Sequence, residues 1–377
     1  MLNDFNSVVS TEYLTSAVDY HQSHPAFRKR PITTFLIKET ARHAEISIGM
    51  AFVIINFLFL FISGVLLYRL ALRFENTNTM AIGNVIIYFT SFSIMFAFFS
   101  PIYTYDEPIQ FCLLLLGLLS IYKEKWLAYI LFFSLSIIAR ESSLILLPGL
   151  ILMTFYKKEP FNFRSVLSKE NVLKMTYLLA PIVVYVMFLI IFLKQNNMIE
   201  ESESDVLNRL SHFHDNVQDP KHAFESLISF FLVLGTPLYL LYNGVKKNMM
   251  NDVDSEKYLR AFLITVLINS AIVLLTTKAR EARLFVVPMF FIWPLFTRLF
   301  YEDIKLLISL KNYKSTFSNL SYVASFTFLN GLNYILSFKI YETTIGHPND
   351  NYFNEYLFAM LFIILTHATL KHNLNDC

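Results

Sequence analysis

Long apolar runs separated by short polar segments dominate the pattern of hydrophobic positions along this chain. A membrane-crossing helix needs about 20 mostly apolar residues, and the runs here are about 15 to 23 residues long. They lie at 46–70, 80–100, 108–122, 126–139, 142–156, 173–194, 224–243, 258–277, 284–300, 320–339 and 353–370. The pattern predicts an all-α, polytopic integral membrane protein of about eleven helices, several of them short of a full crossing.

The composition agrees with this class of protein. Hydrophobic residues make up 55% of the 377 residues, charged residues make up 16%, and the mean hydropathy is +0.48. The net charge of +2 says little, because Lys and Arg act here through their positions and not through their sum, and nothing in the sequence supports nucleic acid binding. Cys112 and Cys377 have neither metal-binding nor disulfide spacing. The first 45 residues are polar and lack the apolar core of a cleavable signal peptide. The expected partners are therefore membrane lipids and not nucleic acid.

Arg140 and Glu141 interrupt an apolar stretch that runs from Trp126 to Tyr156. If the chain turns back at this pair, the basic loops all fall on one side of the membrane, which the positive-inside rule assigns to the cytoplasm. Those loops are 69–79, 123–125, 157–172, 244–257 and 298–319. A helix of about fourteen residues reaches about 21 Å, less than a hydrocarbon core of about 30 Å. We therefore expect the turn to lie below the outer surface and to line a cavity that opens outward.

Under this topology, charged residues from several separate segments share the outer face. Arginines can bind a phosphate, and carboxylates beside them can accept a proton from a hydroxyl or amide group. The candidate catalytic carboxylates are Asp4, Asp19, Asp106, Glu107 and Glu141. The candidate phosphate or donor ligands are Arg28, Arg30, Arg140, Lys278, Arg280 and Arg283. The candidate acceptor-binding or loop residues are His212 and His214.

Each group also has a purely structural interpretation. Asp106 and Glu107 precede a proline at a helix start, where acids favour the helix dipole. The Arg140–Glu141 pair can be a buried ion pair, the two histidines can belong to a solvated loop, and the basic residues of 278–283 can extend to the membrane interface. Agreement of several loops on one face favours a functional site over these separate explanations.

The chain divides into an N-terminal segment (1–45), placed on the outer face, and a transmembrane domain (46–370). The transmembrane domain includes an outer loop at 195–223. At 298–319, alternation of apolar and basic residues predicts a segment lying on the cytoplasmic leaflet.

Three stretches together resemble the GT-C superfamily of membrane glycosyltransferases. "YTYDEPIQFCLLLLGLLSIYKEKWLAYILFFSLSIIARESSLILLPGLILM" matches its acidic outer loop, short hairpin and Arg–Glu turn. "AREARLFVVPMFFIWPLF" at 279–296 is similar to the proline-broken late segment of those enzymes, and "FRKRPITTFLI" at 27–37 to their basic segment after the first outer loop. The resemblance covers most of residues 20–300.

This resemblance implies a polyprenyl-phosphate-linked sugar donor, an outward-facing active site and a catalytic acid that acts as general base or metal ligand. A divalent cation such as Mg²⁺ or Mn²⁺ is left open. Asp106 and Glu107 correspond to the second acidic loop, Arg140 and Glu141 to the turn, and Arg280 and Arg283 to phosphate ligands. Family members begin with a membrane helix before the catalytic acid. This sequence begins in polar residues and lacks that helix, which leaves three alternatives: the helix precedes this sequence, the N-terminal segment reaches the outer face without a leading helix, or the protein is a degenerate relative.

Three hypotheses for the function follow. The first is a glycosyltransferase that acts on a lipid, glycan or protein acceptor at the outer face of a membrane, which we expect to be a bacterial inner membrane. The second is a flippase or transporter of a lipid-linked sugar, against which the lack of an internal repeat weighs. The third is a non-catalytic subunit of a polysaccharide assembly complex.

Overall fold

The computed structural model describes residues 10–74, 76–95, 104–156, 168–200, 209, 211–244, 253–346 and 352–376. Every regular element in these residues is helical, and they contain no β-strand. The predicted all-α class is therefore confirmed.

Polar caps and prolines set many of the helix boundaries. Ser47, for example, begins the longest apolar helix of the first half by accepting the Met50 N–H. The helices up to the Arg140 break are α1 (Thr11–Ser23), α2 (Pro25–Arg28), α3 (Pro31–Ala44), α4 (Ile48–Arg73), α5 (Asn78–Thr90), α6 (Phe92–Met95), α7 (Glu107–Tyr122) and α8 (Trp126–Ala139). Those that follow are α9 (Leu147–Phe155), α10 (Lys169–Gln195), α11 (His212–Val217), α12 (Pro220–Gly244), α13 (Val253–Thr276), α14 (Phe296–Leu299), α15 (Tyr301–Ile308), α16 (Leu310–Phe317), α17 (Leu320–Tyr334), a π-helix (Ile335–Ile345) and α18 (Phe353–Asp376).

Five of the described helices are long and apolar enough to cross a membrane, judged by length and composition. They lie in α4, α10, α12, α13 and α18. Only 11% of the most apolar window of α10 is buried inside the protein, as expected for a helix that faces lipid. Shorter apolar segments accompany them at Glu107–Tyr122, Trp126–Ala139, Glu141–Phe155 and Val287–Leu299. A multi-pass helical membrane protein fits these lengths, and the predicted total of about eleven spans stays a prediction.

The run at 284–300, predicted as one helix, is instead broken. Three 3₁₀ turns (Ala282–Phe285, Val287–Phe291 and Trp293–Leu295) precede the short helix α14. Pro288 and Pro294 lack the backbone N–H that a continuous α-helix needs at each interior position, so the regular hydrogen-bond ladder fails there.

Two asparagines of the N-terminal half support this broken segment. The Asn84 side chain donates to the Pro294 carbonyl over 2.8 Å and accepts the Thr297 N–H over 2.8 Å. Asn76 donates to the same Pro294 carbonyl over 3.1 Å. Both asparagines are buried, so they replace the water that would otherwise satisfy the exposed backbone groups.

Helices α1 to α3 form an N-terminal cap (residues 11–44) over one end of the bundle. Leu14 and Val18 of α1 and Ile37 of α3 are buried in one apolar cluster with Phe52 of α4 and Tyr105. This packing places the segment between α2 and α3 directly over the start of α7.

The helix is interrupted at Arg140, as the sequence predicts. Arg140 is extended (φ −161°, ψ 122°), and a 3₁₀ turn from Glu141 to Leu146 follows it. The Ser143 hydroxyl donates to the Ser136 carbonyl over 3.0 Å. A continuous helix could not make this bond, because seven residues advance about 10.5 Å along its axis.

Candidate functional site

Eight charged side chains from four helix breaks come together under the N-terminal cap. The breaks are the α2–α3 junction, the start of α7, the Arg140 turn and the first 3₁₀ turn after α13. We call these residues the charged cluster: Lys29, Arg30, Asp106, Glu107, Arg140, Glu141, Glu281 and Arg283. Side chains at breaks can converge because they lie at the helix ends and not along the apolar faces.

One half of the cluster is centred on Glu141. Arg30 donates to Glu141 Oε2 through Nε at 2.8 Å and through Nη2 at 2.6 Å. The Lys29 Nζ lies 3.6 Å from Glu141 Oε1, an atom that is buried and accepts no hydrogen bond. Glu141 therefore ties the cap to the Arg140 turn through charge-assisted contacts.

Glu107 organises the other half. Its Oε1 forms ion pairs with Arg140 and, at 3.2 Å, with Arg283 Nη1. Its Oε2 accepts the Tyr105 N–H over 3.0 Å. Arg283 also donates to Glu281 Oε2 through Nη2 at 2.8 Å. The Glu107 side chain is 4% exposed, so its charge is compensated by these partners and not by bulk water.

Asp106 is the least compensated carboxylate of the cluster. Its Oδ1 accepts the Thr33 hydroxyl over 2.6 Å, and its nearest cation, Arg30 Nη1, lies 3.9 Å from Oδ2. Burial raises the pKa of Asp106 to about 6, against the opposing influence of Arg30 and Thr33. A carboxyl with a pKa near 6 is suited to accept a proton at neutral pH.

Polar side chains of α7 and of the 3₁₀ turn support the cluster. Gln110 donates to the hydroxyls of Ser142 and Ser143 over 3.0 and 2.9 Å. These bonds fix the start of the turn against α7, one helical turn beyond Glu107. The arrangement holds Glu107 and Arg140 in register with each other.

An aromatic contact closes the side of the cluster nearest α1. The His21 ring stacks on the Tyr105 ring with centroids 3.7 Å apart, and Tyr105 hydrogen-bonds to Thr34 over 2.9 Å. Burial and the nearby arginines lower the pKa of His21 to about 3, so this imidazole is neutral at physiological pH. It adds no cation to the site.

The structure brings together Arg30, Asp106, Glu107, Arg140, Glu141 and Arg283 from the predicted site residues. Asp4 lies outside the described residues. The other predicted residues take part in none of the ion pairs described above. Asp19 and Lys278 are exposed, and Arg28 donates to Asn196 over 3.1 Å. The Arg280 carbonyl accepts the Ser229 hydroxyl.

The histidine pair has a local structural setting. His212 contacts Asp215 over 3.1 Å, and His214 is exposed. The neighbouring Asn216 is buried and donates to the Leu274 and Thr277 carbonyls, so this short helix caps the end of α13.

The site also includes residues that were missing from the sequence-based set: Lys29, Glu281, Thr33, Gln110 and His21. Thr33 follows Arg30 by three residues, so helical spacing could have suggested that both lie on the same side of the chain, although not that they face Asp106. The His21–Tyr105 stack joins distant parts of the chain, so local pattern gives no signal for it.

The cluster does not assemble a metal-ligand set. Over the described ranges, no three His, Cys, Asp or Glu side chains converge in a geometry that could hold a metal ion. Its carboxylates face guanidinium and ammonium groups, whereas Mg²⁺ and Mn²⁺ need several oxygen ligands around one point. We therefore derive no step through a metal.

Comparison of the chain with known protein families, with curated proteins and with solved structures finds no match.

Proposed function

We propose that this protein is a membrane glycosyltransferase that moves a sugar from a polyprenyl-phosphate donor to a lipid, glycan or protein acceptor at the outer face. The observation that carries the proposal is the charged cluster, in which carboxylates and guanidiniums from four helix breaks meet beneath the N-terminal cap. The three stretches that resemble the GT-C superfamily contain all four of these breaks.

The proposed reaction assigns Asp106 the role of general base. Asp106 takes the proton of the acceptor hydroxyl as that oxygen bonds to the anomeric carbon of the sugar. The bond between the anomeric carbon and the phosphate oxygen breaks, and its electron pair leaves with polyprenyl phosphate. Arg283 stabilises the charge that develops on the leaving phosphate.

Arg283 is the guanidinium best placed to bind a phosphate. Its side chain is 24% exposed, whereas those of Arg30 and Arg140 are 13% and 11% exposed. Its partner Glu281 is the most exposed carboxylate of the cluster, at 26%. A donor phosphate can therefore replace Glu281 at Arg283 while Glu107 remains in place.

A second candidate function is a non-catalytic subunit of a glycan assembly complex. The observation that favours it is the balance of charge, since the four cations of the cluster each lie within ion-pair distance of a carboxylate. In such a subunit the network holds the cap on the bundle and takes part in no reaction.

Release of polyprenyl phosphate tests the enzyme directly, because every such transfer yields it whichever acceptor is used. Purified protein in liposomes would be supplied with polyprenyl-phosphate hexoses of short chain length and total membrane lipid, and polyprenyl phosphate would be measured by mass spectrometry. We expect release by the wild type and a loss of about 100-fold or more in Asp106→Asn. Arg283→Gln should also lose release.

The matched controls are Glu39→Gln and Arg42→Gln, which remove one charge each from an exposed pair on the cap. Both should release polyprenyl phosphate at the wild-type rate. Full activity of Asp106→Asn and Arg283→Gln would refute the catalytic assignment. Absence of release by folded wild-type protein would favour the non-catalytic subunit, and movement of intact donor across the bilayer would favour a flippase.

A further inference from the structure

A groove of about 680 Å³ lies at the end of α7 and α8 opposite the charged cluster. It is formed by α4, α7 and α8. Its lining combines four basic residues, Arg69, Arg73, Lys123 and Lys125, with an apolar wall. Because α7 has 16 residues, the end of α7 at the groove lies about 24 Å along this helix from the cluster.

The polar and apolar lining residues are arranged by depth. Arg73 ends α4, Lys123 follows α7, and Lys125 precedes α8. Leu66, Leu116 and Phe132 each lie seven residues from one of these basic residues. Seven helical residues advance about 10.5 Å, so the three helices form a basic mouth above an apolar wall of about that depth.

The groove carries a single sign of charge. Its lining includes four basic residues, and none of the residues that line it is acidic. Glu124 lies between Lys123 and Lys125 in the connecting turn, where it is exposed and does not line the groove. In the part of the chain that the structure describes, the four cations have no ion-pair partner.

The flanks of the groove favour a lipid over a soluble anion. Leu127 and Leu131 of α8, which are next in sequence to the lining residues Ala128 and Phe132, are 79% and 56% exposed. Exposed apolar residues beside the wall are typical of a surface that contacts hydrocarbon, which favours a lipid as the occupant.

We propose that this groove binds one anionic glycerophospholipid of the leaflet predicted to be cytoplasmic. Arg69, Arg73, Lys123 and Lys125 contact the headgroup phosphate, and an acyl chain lies along the apolar wall. Clusters of Lys and Arg at the membrane surface recognise anionic headgroups by this charge complementarity. The site is independent of the function proposed above.

Lipid retention during native mass spectrometry tests this site. Full-length protein would be purified in a neutral detergent and titrated with equimolar phosphatidylglycerol and phosphatidylcholine. We expect one phosphatidylglycerol retained in preference to phosphatidylcholine. Each surface Lys or Arg strengthens binding of anionic lipid by about fivefold. The double variant Arg73→Gln/Lys123→Gln should therefore bind it about 25-fold more weakly.

The matched control is Lys305→Gln/Lys311→Gln, which removes two exposed basic residues of α15 and α16 outside the groove. It should retain phosphatidylglycerol as the wild type does. Ala128→Trp keeps every charge but fills the groove, so it should also displace the lipid. This variant distinguishes binding in the groove from a general charge effect, even if the double variant fails to fold.

Several outcomes would overturn the proposal. Equal retention of both lipids by the wild type would exclude selectivity for an anionic headgroup. Equal loss in the Lys305→Gln/Lys311→Gln control would show a diffuse surface effect. Displacement of the lipid by an equal concentration of inorganic phosphate would show an anion site without a lipid component, and unchanged binding by Ala128→Trp would place the lipid elsewhere.

Discussion

Glu107→Gln tests whether the charged cluster holds the N-terminal cap to the bundle. The substitution keeps the size of the side chain but removes the negative charge shared by Arg140 and Arg283. The neutral amide would leave two guanidiniums, 11% and 24% exposed, without this carboxylate, although Arg283 retains Glu281. Loss of one partner from a buried ion pair costs about 3 to 5 kcal/mol.

That cost is large against a typical total stability of about 5 to 15 kcal/mol. The burial of Glu107 justifies the figure, because little water can replace the lost partner. Glu170→Gln is the matched control, since Glu170 also begins an apolar helix and pairs with a lysine, Lys174, over 2.6 Å. Its side chain is 74% exposed, and such surface pairs contribute about 0 to 1 kcal/mol.

Reversible unfolding in mixed micelles at increasing denaturant would give the free energy of unfolding for both variants. We expect Glu107→Gln to be less stable than the wild type by about 3 kcal/mol or more and Glu170→Gln to lie within about 1 kcal/mol of it. The double variant Glu107→Gln/Arg140→Met removes one of the orphaned cations and should recover part of the loss. Equal stability of Glu107→Gln and Glu170→Gln would refute the assignment of the cluster as a buried network.

Three further predictions address the base, the cap and the broken segment. If Asp106 is the base, the wild-type rate of transfer rises as the pH increases through about 6, where the carboxyl loses its proton. Asp106→Asn should not show this rise, and the same rise in the variant would contradict the role. In Gly49→Ala the new Cβ would lie 2.7 Å from a backbone oxygen of α1, which should cost about 1 to 3 kcal/mol and speed amide exchange in α1, whereas Gly331→Ala meets nothing within 4 Å and should leave exchange unchanged. Asn84→Ala should destabilise the protein by about 1 to 3 kcal/mol, because the buried Thr297 N–H loses its partner and the Pro294 carbonyl keeps only its bond from Asn76. A loss no greater than that of exposed Asn78→Ala in the same unfolding assay would count against this prediction.

The apolar pattern predicted more of the fold than of the site. The long runs at 46–70 and 173–194 correspond to α4 and α10, because a run of apolar side chains that long is stable only as a membrane or core helix. The break at Arg140 was also predictable, since two adjacent charges and a short run on each side leave no room for a full crossing. In contrast, the run at 284–300 is as apolar as the runs that form helices, but it is interrupted around Pro288 and Pro294. Asn84 of another helix satisfies backbone groups that the interruption leaves without helical partners.

The sequence by itself determined the all-α class, the apolar helices and the residue types available for chemistry, because these depend on local composition and on the period of the chain. Only the tertiary structure decided which charges meet. Arg30 pairs with Glu141 across 111 residues and Arg283 with Glu107 across 176, whereas the equally charged Asp19 and Lys278 are exposed. Partner choice depends on how helix ends are packed in space, and a charge carries no local signal of the distant segment that will compensate it.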